Sequence, residues 1–359
     1  MKKWLVAVCV MIIMITGCGK QNQVPGDTGK PVEEGVNVPS DSVSEGEKQG
    51  QSNADSDTGF IEQEETVVYE ISEEKLIVTY EGEKYTTMTM GVGGDWIYVS
   101  GRAAETDEAF LGRIAKGQAT LEKITLEGME SMRAFRISVE QSGVCHVLWM
   151  GMKETKENGQ IISQMDMSRA CITSINQDGS LKEKIDISDM MAEKKVVPYH
   201  FVADKEGNFY LDSRNTIIKI GDGGQAITVI ECDGTVECLG VGRSGVVYCT
   251  YYAEDGITYL GKVEGDKVAK CEAELPQLNA KFAVMAAGVN TELLLYNRVG
   301  GAYAFDGKAQ VQESITNDKL PASGESVLGS GFMNDGRLCL AAQKEGLTFY
   351  YIPVEDAEK

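Results

Sequence analysis

Apolar and polar positions alternate with a period of two over most of the chain. From residue 66 onward, short apolar, β-branched and aromatic runs are separated by glycine-containing turns, a pattern that predicts half-buried antiparallel strands. Seven Asn-Gly or Asp-Gly dipeptides, beginning at 158, 178, 222, 233, 255, 306 and 335, accept positive φ and predict two-residue hairpin turns. Helical texture is confined to one segment, where Ser188 is placed to cap a short helix through Lys195. Asp189 would sit at its positive end, with Lys194 and Lys195 near the other. That segment reads as an insertion in a β architecture.

Aligning the turns brings out a weak repeat. Segments 92–98, 139–149, 202–210 and 241–248 each run from a strand end through a polar turn and a glycine (Gly94, Gly143, Gly207, Gly245) into a strand that carries an aromatic. Segments 289–296 and 332–340 continue the series, the former without its glycine. From Gly94 to Gly336 the markers recur about every 48 residues, within the roughly 40 to 50 of a four-stranded propeller blade. Strand pairs at 110–114 with 119–126, and at 258–263 with 267–273, fit the outer hairpin of a blade. The expected fold of residues 66–359 is therefore all-β, a β-propeller of six or seven four-stranded blades, closed by pairing 66–80 with 347–352. A β-sandwich pair or an irregular β solenoid is the alternative, because the marker spacing is uneven.

The N-terminus follows a different pattern. Lys2 and Lys3 precede an apolar run from Trp4 to Ile15 that is followed by Thr16, Gly17 and Cys18, so residues 1–17 read as a signal peptide. As a helix the run spans roughly 18 Å, too short for a hydrocarbon core of about 30 Å. Ile15-Thr16-Gly17-Cys18 resembles the lipobox of bacterial lipoproteins, which implies Cys18 as the lipid-attachment site and first mature residue. Two acyl chains there would anchor the protein stably. Residues 19–65 carry eight apolar side chains and eleven acids against three lysines. Residues 18–65 thus form a lipidated cysteine and a disordered acidic tether, spanning roughly 35 to 40 Å as a coil.

Charge and residue counts narrow the chemistry. A net charge of -21 excludes binding to nucleic acid through phosphate neutralisation. Beyond Cys9 and Cys18, seven cysteines remain, with no C-x-x-C or zinc-like spacing. They read as buried thiols, with Cys232 and Cys238 the one pair placed to face across a hairpin. His146 and His200 are the only histidines, and His146 alternates with apolar residues as a structural imidazole does. Asp204, Glu206 and Asn208 crowd oxygen atoms into five residues, which suits calcium but suits a hydrogen-bonded turn better. Gly91 to Gly94 precedes a strand, not a helix, and is no phosphate loop. Trp96, Trp149, Tyr251 and Tyr252 are candidate stacking platforms for a ligand, with packing between blades the competing role. No catalytic, cofactor-binding or metal constellation is recognisable.

The lipobox, the acidic tether and the repeat exemplified by residues 204–212 together resemble the N-terminal region of a class of Gram-positive lipoproteins. In that class a propeller-like domain precedes the extracellular solute-binding module of sugar-type ABC importers. The resemblance covers essentially the whole chain and implies a location on the outer face of the cell membrane. The chain stops at residues 354–359, where the solute-binding module would begin, so transport is not carried over. The expectation is a monomeric, non-enzymatic binding or scaffold module without cofactor, accessory to carbohydrate or peptide uptake, whose protein or glycan ligand is unspecified. The alternative is a surface lyase or glycosidase on the same scaffold.

Overall fold

The computed structural model describes residues 72–76, 85–103, 109–115, 118, 121–129, 131–157, 160–272, 275, 283–297, 301–316, 320, 327–343 and 347–354. The expected signal peptide, Cys18, the expected tether and the expected Asn158-Gly159 turn lie outside them. Among the described residues no helix is long and apolar enough to cross a membrane.

Alternation of apolar and polar residues produces successive up-and-down meanders. The first (residues 85–124), second (132–186) and fifth (283–316) each form a separate four-stranded sheet. The third (201–231) and fourth (234–270) are joined into one eight-stranded sheet by a single parallel pair, Glu231 with Lys267. In the terminal sheet, strands Val327–Phe332, Arg337–Gln343 and Leu347–Pro353 are completed by Ser72–Leu76 from the other end of the chain. That strand runs antiparallel to the last one, from Ser72 opposite Tyr351 to Leu76 opposite Leu347. The expected closure is thus present over Ser72–Leu76, while residues 66–71 and 77–80 are outside the described residues.

The core is distributed, not central. Each apolar cluster is shared by two successive meanders. Leu148 and Ile172 of the second pack with Phe209 and Leu211 of the third. Ile217 and Ile230 pack with Cys249 and Tyr251 of the fourth, and Tyr248 and Leu260 with Leu293 and Phe305 of the fifth. Leu294 and Tyr296 then pack with Leu338 and Ile352 of the terminal sheet. Cys339 and Phe349 meet Ile97 and Val99 of the first meander, whose Tyr98 and Leu111 return to Val147 and Trp149 of the second. Each fully buried Val, Leu, Ile or Phe in these layers contributes about 1.5–3 kcal/mol. The first strand of each meander touches its counterparts on either side, so the first strands line a common interior. This cyclic layering is the arrangement of a β-propeller-like fold. Close approach there demands glycine: a Cβ on Gly91 would strike Ile137, and one on Gly331 would strike Val92.

Two features depart from the sequence reading. Among the described residues most hairpin turns carry three loop residues, not two. In the turn at 140–144, Glu140 N–H donates to Val144 O at 2.9 Å and Gly143 N–H to Glu140 O at 2.9 Å, with Gly143 at φ +82°. The same pattern recurs at 204–208, 242–246 and 333–337. One left-handed residue after a type I turn matches strand twist as a two-residue turn does, so the glycine marker is shared by both. Ser188 is also not the cap of helix α1 (Ser188–Lys194), whose N-cap is Ile187. Its hydroxyl is held by the backbone of Ala170, accepting from N–H at 3.0 Å and donating to O at 3.1 Å.

A bulge recurs at matching places in four first strands, at Thr87/Thr89, Ala134/Arg136, Val236/Cys238 and Val327/Gly329. Each bulge bends its strand and re-aims the side chains that follow it.

Candidate functional site

The turns that follow the first strands gather at one end of the meanders and are stitched together. Lys205 Nζ donates to Ser244 O at 2.9 Å. The Ser244 hydroxyl and N–H both donate to the Glu292 carboxylate, at 2.6 and 3.1 Å. Gln141 Nε2 of the second meander donates to Ala287 O of the fifth at 2.9 Å. These two meanders are not neighbours in the cycle of contacts, so this bond crosses the interior. The Asp204 carboxylate is filled by protein donors. Oδ1 accepts from Glu206 N–H at 3.0 Å and Asn208 N–H at 2.9 Å, and Oδ2 accepts from Asn208 Nδ2 at 2.8 Å and the Tyr210 hydroxyl at 2.9 Å. Its oxygens serve the turn, and among the described residues no cluster of ligands is arranged for a metal ion.

Near this end lies a carboxylate–imidazole–hydroxyl chain. His146 Nε2 is 2.7 Å from Glu140 Oε1, and His146 Nδ1 is 2.9 Å from Ser174 Oγ. Burial opposes ionisation of Glu140, but hydrogen bonds from His146 and Ser142 outweigh it and hold the carboxyl below its ordinary range. The residue types match an acyl-transfer triad, yet Ser174 is 2% and His146 3% exposed. A nucleophile must reach its substrate, and this hydroxyl is sealed. The chain acts as a polar tie between a turn and two strands.

The opposite end is open. Between the third and fourth meanders, Asn215, the link Cys232–Thr235 and the loop Tyr252–Asp255 enclose a cleft of about 800 Å³. Asp233-Gly234, expected to turn a hairpin, forms the link between the two meanders. It is pinned by Cys232 N–H donating to Asn215 O at 3.0 Å and Val236 N–H donating to Arg214 O at 2.6 Å. Tyr252 is one of the lining residues and is 49% exposed. Asp255 is already engaged, accepting from Ile257 N–H at 3.0 Å and the Tyr259 hydroxyl at 2.7 Å, contacts that lower its carboxyl's pKa. Asp233 and Glu254 supply the cleft with further carboxylates.

The four aromatics singled out in the sequence do not converge. Trp149 is buried between the first and second meanders with its indole N–H donating to Thr173 Oγ1 at 2.8 Å. Trp96 packs against the same cluster beneath the Arg113 guanidinium, 4.3 Å from its ring centre. Tyr251 points into the layer between the third and fourth meanders, and its neighbour Tyr252, on the other face of the strand, points to solvent. Cys232 and Cys238 do not face one another: Cys232 joins the layer with Cys249, whereas Cys238 packs with Tyr248 and Leu260 of the next. Asn215, Asp233 and Glu254 carried no sequence signal of their own. Asp233 was hidden because its dipeptide looks like any hairpin turn.

A second polar group lies at the same end of the strands. His200 N–H donates to Asp212 Oδ1 at 2.6 Å, its Nδ1 is 3.3 Å from Oδ2, and Arg136 Nε donates to Tyr199 O at 2.6 Å. These contacts fix the loop before Phe201–Ala203 and leave the Tyr199 ring 70% exposed.

No protein-family profile matches the chain, and no curated protein matches its sequence. Among solved structures it is similar to an aldose sugar dehydrogenase from Streptomyces coelicolor, at 9% identity over 80% of this chain and 99% of that one, with a TM-score of 0.49. It is also similar to a gluconolactonase from Xanthomonas campestris, at 9% identity over 76% and 87% of the two chains and a TM-score of 0.45. A third is AofleA from Arthrobotrys oligospora, at 14% identity over 80% and 91%, also with a TM-score of 0.45. At such identities the likeness concerns the fold alone.

Proposed function

We propose that this chain is a lipid-anchored surface binding module. Its six blades would be the five meanders and the terminal sheet, and its ligand would be a neutral glycan held in the cleft between the third and fourth meanders. Anchoring rests on the lipobox-like sequence ending at Cys18. The observation that carries the binding reading is Tyr252, a residue that lines the cleft and is left 49% exposed. An exposed ring face offers apolar area to the C–H face of a sugar, while Asp233, Glu254 and Asn215 offer acceptors for its hydroxyls. A net charge of -21 disfavours anionic ligands.

Calorimetric titration of a panel of neutral oligosaccharides tests this, with chromatography of the recovered ligand. Binding with the sugar recovered intact supports the module reading. Cleavage would favour the hydrolase or lyase reading, with the cleft carboxylates as acid and base. No binding by any member would reject a neutral glycan ligand.

A further inference from the structure

One arginine is turned toward the layer between the second and third meanders with no carboxylate beside it. In strand Met132–Val139, Ala134 lies opposite Trp149 and Arg136 opposite Leu148, so the bulge leaves Phe135 as its extra residue. Leu148 belongs to that layer and Phe135 packs against it, so the bulge sets two successive side chains toward the third meander. The Arg136 guanidinium lies 4.1 Å from the centre of the Phe135 ring. Its Nε donates to Tyr199 O at 2.6 Å and its Nη1 to Phe135 O at 2.7 Å. An arginine has five N–H donors, and among the described residues no acceptor meets the rest of them.

Other arginines of the chain are neutralised internally. Arg113 pairs with Glu122 at 2.8 Å, and Arg337 pairs with Asp335. Among the described residues no carboxylate lies within ion-pair distance of Arg136. Asp212, which holds the same loop, is 2% exposed and is taken by His200, through the backbone N–H at 2.6 Å and Nδ1 at 3.3 Å. Burial lowers the Arg136 pKa, and a charge taken from water without a partner is costly. Tyr199, whose carbonyl holds the guanidinium, is 70% exposed, so this end of the layer is open to solvent.

We propose that Arg136 anchors a small organic carboxylate at this solvent-open end of the layer. The carboxylate oxygens accept the guanidinium N–H groups that no described protein group uses, a planar acceptor on a planar donor. The net charge of -21 repels anions over the surface at large. An anion is therefore held only where an unpaired cation meets it, and a monoanion is repelled less than a phosphate dianion. Arg136, Tyr199 and His200 do not line the cleft of Asn215 and Tyr252, so this site stands apart from the glycan reading.

The full-length protein in detergent is treated with phenylglyoxal, which modifies accessible guanidinium groups, and the modified arginines are mapped by mass spectrometry. The reaction is run alone and with benzoate, benzamide or inorganic phosphate at constant ionic strength. Benzoate is expected to slow modification of Arg136 several-fold while leaving the exposed Arg243 unchanged, and benzamide, its uncharged counterpart, to slow neither. In calorimetric titration Arg136→Lys, which keeps the charge and loses the planar fork, should bind benzoate several-fold more weakly than wild type. Equal modification of Arg136 with and without benzoate, equal protection by benzamide, or stronger protection by phosphate than by benzoate overturns the proposal without recourse to any variant. An unchanged affinity in Arg136→Lys overturns it as well.

Discussion

Gln141 Nε2 and the Ala287 carbonyl are bonded at 2.9 Å across the interior of the molecule, linking the second meander to the fifth. A neutral side-chain hydrogen bond of this kind has a net worth of about 0.5–1.5 kcal/mol. Gln141→Ala should lower the unfolding free energy by that amount, read as a lower urea midpoint with an unchanged slope. Gln141→Glu should cost at least as much, because it sets a carboxylate against a carbonyl and removes the donor.

The Glu140–His146 contact makes stability pH-dependent. The folded carboxyl titrates below its ordinary value of 4.5, so as the pH falls the unfolded chain takes up the proton first. The stabilisation is complete above that ordinary value and is lost as the pH falls through the folded one. Urea unfolding of wild type and Glu140→Gln should differ most near neutrality. The gap should narrow steadily below about pH 4.5.

Asp204 receives four protein donors in one turn. Asp204→Ala leaves those groups unpaired in a buried setting, and hydrogen bonds to a charged group are worth about 1.5–3 kcal/mol each without adding fully. A loss of about 3 kcal/mol or more is expected in chemical denaturation. Calcium or a chelator should leave the wild-type melting temperature where it is.

Closure is carried by backbone pairing between Ser72–Leu76 and Leu347–Tyr351. Deleting residues 72–76 exposes a row of donors and acceptors on the last strand, an edge that recruits other sheets. Size-exclusion chromatography should show aggregation of the deleted protein. A well-behaved monomer melting like the wild type would count against closure.

The sequence carried the layered β architecture because period-two alternation and glycine markers are local. Gly143, Gly207, Gly245 and Gly336 all mark turns after first strands, with φ between +78° and +88°. Loop length was not legible, since the same Asp-Gly pair serves a three-residue loop at 335–336 and the link between meanders at 233–234. Tyr251 and Tyr252 read together as stacking candidates in the sequence, although neighbours on a strand lie on opposite faces. Which of them is buried depends on the neighbouring meander, and it is Tyr251. The shared layer of Cys232 and Cys249 and the bond from Gln141 to Ala287 arise only when distant segments are stacked, and no local pattern encodes them.

The exposed ring of Tyr252 is the centre of the functional account, and its contribution can be measured directly. Neutral oligosaccharides are titrated into wild type, Tyr252→Phe and Tyr252→Ala under the same conditions. If a sugar on the ring gains what an aromatic pair does, about 0.5–1.5 kcal/mol, Tyr252→Ala should weaken binding by roughly two- to tenfold, while Tyr252→Phe, which keeps the ring, stays close to wild type. Equal affinities for wild type and Tyr252→Ala would contradict the assignment of this cleft as the binding site.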